Sequence, residues 1–309
     1  MPGETHSGPL PPLTVEETHI RDRVSGHLQA LAGRIGERNL WHYSALQAAA
    51  DYIENTLVQL GYRPVDEPFE SRGTPVRNII AEKQGTSMAE EIILVGAHYD
   101  SVIGSPGAND NGSGVAALLE LARLLADQEL PRTVRFVAFV NEEPPFFYSP
   151  EMGSLINARA ARGRGDRIQA MLSLETIGHY SDRPGSQRYP FPLSLFYPHT
   201  ANFIGFVGNL GSRRLVHSAV QSFRRSSSFP SEGAAAPAWI TGVGWSDHWS
   251  FWQAGYPAIM VTDTAFYRYA YYHTADDTPD KVDTERMARV VTGLASVIAD
   301  LAGEPNGID

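Results

Sequence analysis

Apolar positions along the chain follow two periods. Four short runs rich in β-branched residues each stop at an acid or an imidazole: residues 91–97 before His98, 133–140 before Asn141-Glu142-Glu143, 168–174 before Glu175, and 257–262 before Asp263. Runs of this kind predict buried strands of an α/β sheet. A further strand is predicted over residues 77–83, neighbouring 91–97 across a turn centred on Gly85, and Gly61-Tyr62 opens an extended stretch. Between the strands the period changes to that of a helix. Helices are predicted over residues 15–31, 44–60, 152–161 and 283–301, in a region following Asn209 to about Phe223, and in a segment opened by Gly112-Ser113-Gly114. The stretches 184–198 and 226–236, rich in Pro, Tyr, Ser, Gly and Ala, read as loops. Strands alternate with helices throughout, without a repeat or a charge-shifted linker. The expected architecture is α/β, a three-layer α/β/α sandwich around a mixed, mostly parallel sheet. Residues 1–12, with four prolines, read as a flexible arm, and 13–309 as one domain.

Composition narrows the chemistry. At 309 residues the chain can bury a large core, and 19% charged residues fit a globular protein. A net charge of −10 argues against nucleic acid or an anionic membrane as the main partner. There are no cysteines, so disulfides, thiolate metal sites and cysteine nucleophiles are excluded, and any metal must be held by oxygen and imidazole. The first residues carry neither a basic region nor an apolar core, and no stretch is long and apolar enough to span a bilayer. The expectation is a cytoplasmic protein as given, although a removed secretion signal would leave no trace.

In α/β sheets, ligands sit beyond the carboxyl ends of the strands. Several carboxylates and an imidazole gathered there repel one another unless a cation holds them. His98-Tyr99-Asp100 places His98 and Asp100 on the same side of a strand end, where the carboxylate can orient the ring. In Gly107-Ala108-Asn109-Asp110-Asn111-Gly112-Ser113-Gly114, Asp110 stands at the mouth of a helix, as a ligand or as a simple cap. The distal glutamate of a calcium-binding loop is missing. Adjacent Glu142 and Glu143 diverge, so one can bind metal while the other faces a substrate as general base. Glu175 and Tyr272-His273-Thr274 supply the remaining candidates.

These pieces, in this order, resemble the zinc aminopeptidases, two-metal exopeptidases that include bacterial leucyl aminopeptidases, aminopeptidase Y and, as a divergent branch, the glutaminyl cyclases. The resemblance rests on Gly96 to Ser101, Gly107 to Ala116, Glu142-Glu143 with Gly153-Ser154, Ser246-Asp247-His248, and Tyr272-His273-Thr274 with Asp277-Thr278. It implies that Asp110 bridges two zinc ions, with His98 and a further carboxylate completing one site and Glu143 and His273 the other. Glu142 would be the general base, Asp100 would steer His98, and Tyr272 or a nearby donor would stabilise the oxyanion. A cis peptide at Asp110-Asn111 is implied as well. One position departs from the commonest pattern: Glu175 stands where many members have aspartate, and its extra methylene still lets it reach a metal.

The expected activity is hydrolysis of the N-terminal peptide bond of a peptide substrate, with the substrate's amino group held near Glu142 and Glu175. Phe146, Phe147 and Tyr267-Arg268-Tyr269 are candidates for shaping a specificity pocket. His179 and His248 read as supporting residues, Asp263 as part of the shell around the ligands, and Asp247 as a proton-relay member or a helix cap. Two alternatives stand beside this reading. One is a single-zinc glutaminyl-peptide cyclotransferase. The other is a binding protein that has kept the fold and lost catalysis. Side-chain preference and oligomeric state are left open by the sequence.

Overall fold

The structure, a computed structural model, describes residues 1–303. Its centre is one eight-stranded sheet in the order β1-β2-β4-β3-β5-β8-β6-β7. The strands are β1 (Val65–Ser71), β2 (Thr74–Lys83), β3 (Met88–His98), β4 (Arg132–Phe139), β5 (Arg167–Glu175), β6 (Ile204–Gly208), β7 (Ser231–Ala235) and β8 (Ala258–Thr262). The central strands β4, β3, β5 and β8 run parallel, and β2 and β6 flank them antiparallel. The sheet is therefore mixed, as expected.

Alternation along the central strands builds a core on each face. Ile93, Val95 and Ala97 of β3, with Val134, Phe136 and Ala138 of β4, face one large apolar cluster. That cluster is closed by α1 (Val15–Leu28), α2 (Tyr43–Gln59), α3 (Gly114–Leu125), α5 (Arg213–Ser226) and α7 (Thr284–Gly303). Ile92 and Leu94, with Val137 and Phe139, point the other way, toward α4 (Gly153–Arg164) and α6 (His248–Gln253). Helices on both faces give the three-layer sandwich. Among the described residues no helix is long and apolar enough to cross a membrane.

Two sequence expectations need correction. β2 and β3 are not neighbours, because β4 lies between them. The chain crosses the start of β4 at Gly85, whose N–H donates to Thr133 Oγ1 at 3.0 Å. A Cβ at Gly85 would lie 2.4 Å from Pro131 O, so the crossing needs a glycine. The segment 226–236 is not all loop, since Ser231–Ala235 is the edge strand β7, paired with β6. β6 itself lies just ahead of the predicted helical region and shows no strand pattern, because two of its five residues are glycine. Pro2, Gly3 and Thr5 lie against this edge: Arg224 donates to Pro2 O and Gly3 O, and Ser231 N–H donates to Thr5 Oγ1.

Candidate metal centre

The carboxyl ends of β3, β4 and β5 deliver three pieces of the centre side by side. β3 ends on His98 and β5 on Glu175. After β4, Asn141 takes φ 60°, a left-handed turn that asparagine tolerates, and presents Glu142 and Glu143. Asp110 comes from the loop between β3 and α3, and His273, also left-handed at φ 58°, from the loop after β8.

His98 Nε2 lies 3.4 Å from Asp110 Oδ1 and 3.3 Å from Glu175 Oε2. His273 Nε2 lies 3.1 Å from Asp110 Oδ2 and 3.2 Å from Glu143 Oε2. Two ligand atoms on a tetrahedral zinc, each at about 2.0–2.1 Å, stand about 3.3 Å apart. Each imidazole thus stands at that spacing from two carboxylates, His98 from Asp110 and Glu175 and His273 from Asp110 and Glu143, with a different Asp110 oxygen nearest each ring. Atoms of His98, Asp110 and Glu143, and of His98, Glu142 and Glu175, all lie within 4.8 Å of one another. The contact of Glu142 Oε2 with His98 Nε2 is longer, at 3.7 Å.

Several atoms at the centre lack partners. Among the described residues, His98 Nε2, both oxygens of Asp110, Glu143 Oε1 and His273 Nε2 are buried without a hydrogen-bond partner. Buried polar atoms are normally paired, and this many converging orphans would be expensive in a fold that did not use them. Oxygen and imidazole donors of this kind suit zinc.

Charge on the protein groups alone leads to the same conclusion. Burial, with Asp110 beside it, raises the Glu143 carboxyl to about 8 against the opposing pull of His273. Burial lowers the proton affinity of His273, yet Asp110 and Glu143 more than offset this and lift it to about 10. Burial likewise opposes protonation of His98, but Glu142 and Glu175 hold its imidazole well above the ordinary range. Without cations these groups retain protons to settle their repulsion, and divalent ions would replace those protons.

The loop carrying Asp110 is fixed by residues to which the sequence reading gave no role. Asp277 accepts the N–H of Asn109 at 2.8 Å, the N–H of Asp110 at 3.0 Å and the Tyr269 hydroxyl at 2.6 Å. Asn109 donates to Asp263 Oδ2, which also accepts from His179 N–H, so Asp263 belongs to the supporting shell as expected. Asn111 Oδ1 accepts from the N–H of Thr176 and Gly114, tying the loop to the end of β5. Buried Arg38 donates to the carbonyls of Tyr99, Pro106 and Gly107. The peptide bond between Asp110 and Asn111 is cis. An acid or amide in a glycine-rich loop was the available signal for Asn109 and Asn111. Asp277 belongs to a quoted motif but has no role assigned by it, and Arg38, distant in sequence, carries no signal.

The other expected residues fall in three places. Asp100 sits beside His98, whose Nδ1 lies 3.2 Å from the Asp100 main-chain oxygen and 3.6 Å from its carboxylate. The ring of Tyr272 stacks on His273 with centroids 3.8 Å apart, and burial together with Asp110 and Glu143 keeps its phenol protonated. Glu175 Oε2 also accepts from Ser246 Oγ at 2.8 Å. Asp247 stands at the start of α6, but its carboxylate caps nothing, and both oxygens are buried without a partner. Of the proposed pocket-shaping residues only Tyr267 lines the cavity beside the centre. Phe146 packs against Trp41, Tyr269 is held by Asp277, and Arg268 donates to Gln187 and the Phe203 carbonyl.

The model of Peptidase family M28 matches residues 78–298. The chain therefore belongs to peptidase family M28. It is 40% identical over 287 residues to the uncharacterized protein YfbL of Escherichia coli, covering 90% of this chain and 87% of that one. It is 27% identical over 248 residues to the probable aminopeptidase YDR415C of Saccharomyces cerevisiae, covering 76% of this chain and 60% of the yeast protein. Among solved structures, a zinc aminopeptidase from Bacillus subtilis superposes with a TM-score of 0.72 at 16% identity, covering 92% of this chain and 95% of that one. A glutaminyl cyclase from Fimbriiglobus ruber superposes with a TM-score of 0.68 at 21% identity, covering 95% of this chain and 97% of that one. At these identities the structural likeness is one of fold.

Proposed function

We propose that this member of peptidase family M28 is a two-zinc aminopeptidase that hydrolyses the N-terminal peptide bond of peptides. The observation that carries the reading is the shared carboxylate: each oxygen of Asp110 faces a different imidazole, Nε2 of His98 and Nε2 of His273. His98, Asp110 and Glu175 would hold one ion, and Asp110, Glu143 and His273 the other. Zinc bound there supplies Lewis acidity toward a scissile carbonyl and lowers the pKa of water.

Glu142 is the general base. Burial pushes its carboxyl well above the ordinary carboxylate range, with His98 opposing and Glu175 and Glu143 adding to the shift. A carboxylate of raised basicity takes a proton from the attacking water and returns it to the leaving amine. Asp100 positions this base, since its carboxylate accepts the backbone N–H groups of Glu142 and Glu143. Tyr272, kept protonated, is placed beside His273 to donate toward the oxyanion. The substrate's free amine lies near Glu142 and Glu175, and its first side chain enters the cavity that Glu175 and Tyr272 border.

The second reading, a single-zinc glutaminyl-peptide cyclotransferase, is supported by the likeness in fold to the glutaminyl cyclase. Two imidazoles sharing one aspartate favour two metals and hydrolysis. A binding protein without catalysis gives no reason for a buried Glu142 whose carboxyl is pushed above the ordinary range. Assay of the purified protein on aminoacyl 4-nitroanilides, with and without chelator, tests the proposal. Chelator-sensitive release supports it. Glutamine cyclisation with one zinc per chain contradicts it.

A further inference from the structure

The cavity beside the metal ligands lies over the β5-β8-β6-β7 half of the sheet. One row of the sheet forms its floor, because Glu175 pairs with Thr262, Thr262 with Gly205, and Gly205 with Glu232. Residues in register stand on the same face, and all four line the cavity. Gly205 leaves the middle of the row open, where a Cβ would sit 3.2 Å from Thr262 O. The walls include Leu193, Tyr189, Tyr197, Trp245, Phe266 and Tyr267. The result is a mainly apolar, aromatic trough with a carboxylate at each end.

Glu175 is accounted for by the metal centre, and Glu232 is not. Among the described residues its one ion pair is with Arg224, at 3.7 Å, beyond hydrogen-bond reach. The Arg224 guanidinium is engaged elsewhere, donating to Ser231 O, Pro2 O and Gly3 O. Burial raises the Glu232 carboxyl, with Arg224 and the Met1 amine opposing. Arg268 packs over Phe203, 4.5 Å from its ring, and donates to its carbonyl. A part-buried carboxylate left short of donors among aromatic walls is costly unless a ligand supplies the cation.

We propose that this trough selects substrates whose first residue is lysine or arginine, with Glu232 as the counter-charge at its far end. The proposal rests on the aminopeptidase reading above. The span agrees: three strand spacings put Glu175 and Glu232 about 14 Å apart at Cα. An extended basic side chain of about 7 Å, with a contact of about 3 Å at either end, fills that distance. Its methylenes would lie over Gly205 and Met260, and its charge would meet tyrosine faces suited to a cation.

The test compares lysyl with norleucyl 4-nitroanilide, a pair that differs only in the terminal ammonium, on the zinc-loaded enzyme. The wild type should favour lysyl in kcat/KM at least tenfold, and Glu232→Gln should cut that ratio at least tenfold. Hydrolysis of norleucyl substrate as fast as or faster than lysyl by the wild type overturns the pocket assignment and leaves the aminopeptidase reading standing. Thermal-shift titration with L-lysinamide and L-norleucinamide reads the pocket without turnover. Saturation by lysinamide at tenfold lower concentration supports the assignment even where no bond is cut, and in that case the hydrolytic reading alone falls. Equal saturation by the two amides overturns the assignment.

Discussion

The Asp100 carboxylate accepts the backbone N–H of Glu143 at 3.1 Å. Its other oxygen takes the N–H of Glu142 at 3.2 Å, so one aspartate clamps the turn that carries both the proposed base and a proposed ligand. A carboxylate accepting two N–H groups is a charge-assisted arrangement that an amide cannot reproduce. Its role thus extends beyond steering His98.

Asp100→Asn replaces one acceptor with an NH2 group that must face an N–H. Loss of a group supporting metal ligands typically costs about 10–100-fold in activity or metal affinity. We expect kcat to fall by that order while zinc content, read by plasma mass spectrometry, stays measurable. An unaltered kcat would remove Asp100 from the positioning role.

Asp277 does for Asp110 what Asp100 does for Glu143, through the N–H groups of Asn109 and Asp110. Asp277→Asn leaves one of those donors facing an amide, at a cost of about 1–3 kcal/mol. The expected outcome is weaker zinc retention, by about tenfold or more, in competition with a chromogenic chelator. Retention equal to wild type would show that the loop holds Asp110 without it.

The sequence made the ligand-bearing strand ends visible, since β3, β4 and β5 are buried on both faces and read as continuous apolar runs. The same signal could not reveal strand order. A run of apolar residues is silent about its neighbour, and β4 inserts between β2 and β3. At the far edge, β7 reads Ser-Glu-Gly-Ala-Ala, a composition with poor strand propensity that is carried by pairing with β6. That edge also holds Glu232, which sequence alone cannot connect to Glu175. The connection exists only through register across β8 and β6. The candidate ligands are legible from type and order. Asp277 is legible as part of a motif but not as the support of the Asp110 loop, and Arg38 is not legible at all, because hydrogen bonds to a distant loop leave no periodicity.

His248 is fully buried, with Nε2 placed 2.8 Å from the Val243 carbonyl and Nδ1 without a partner. Burial lowers its imidazole from 6.5 to about 4. The unfolded chain then binds a proton that the folded one refuses, so stability present above pH 6.5 is lost as pH falls toward 4. The full effect is about 3 kcal/mol. His248→Gln should flatten the fall in thermal midpoint between pH 6.5 and 4. Parallel curves for mutant and wild type would assign the acid sensitivity elsewhere.

Zinc must displace protons from Glu143, raised to about 8, and from His273, raised to about 10. Both groups shed protons unaided as pH rises, so affinity should strengthen from pH 6 upward, with proton release on binding. Titration calorimetry in buffers of differing ionisation enthalpy measures that release. His273→Ala should lower zinc content at every pH. An unchanged stoichiometry would exclude it as a ligand.

If two ions share Asp110 while Glu142 serves as base, metal content and catalysis separate in one variant. Zinc content and peptide-substrate turnover are measured on one sample each of wild type and Glu142→Gln. Two zinc ions per chain are expected in both proteins, with turnover by Glu142→Gln reduced about 10²–10⁴-fold. One zinc per chain, or hydrolysis by Glu142→Gln near the wild-type rate, would contradict this arrangement.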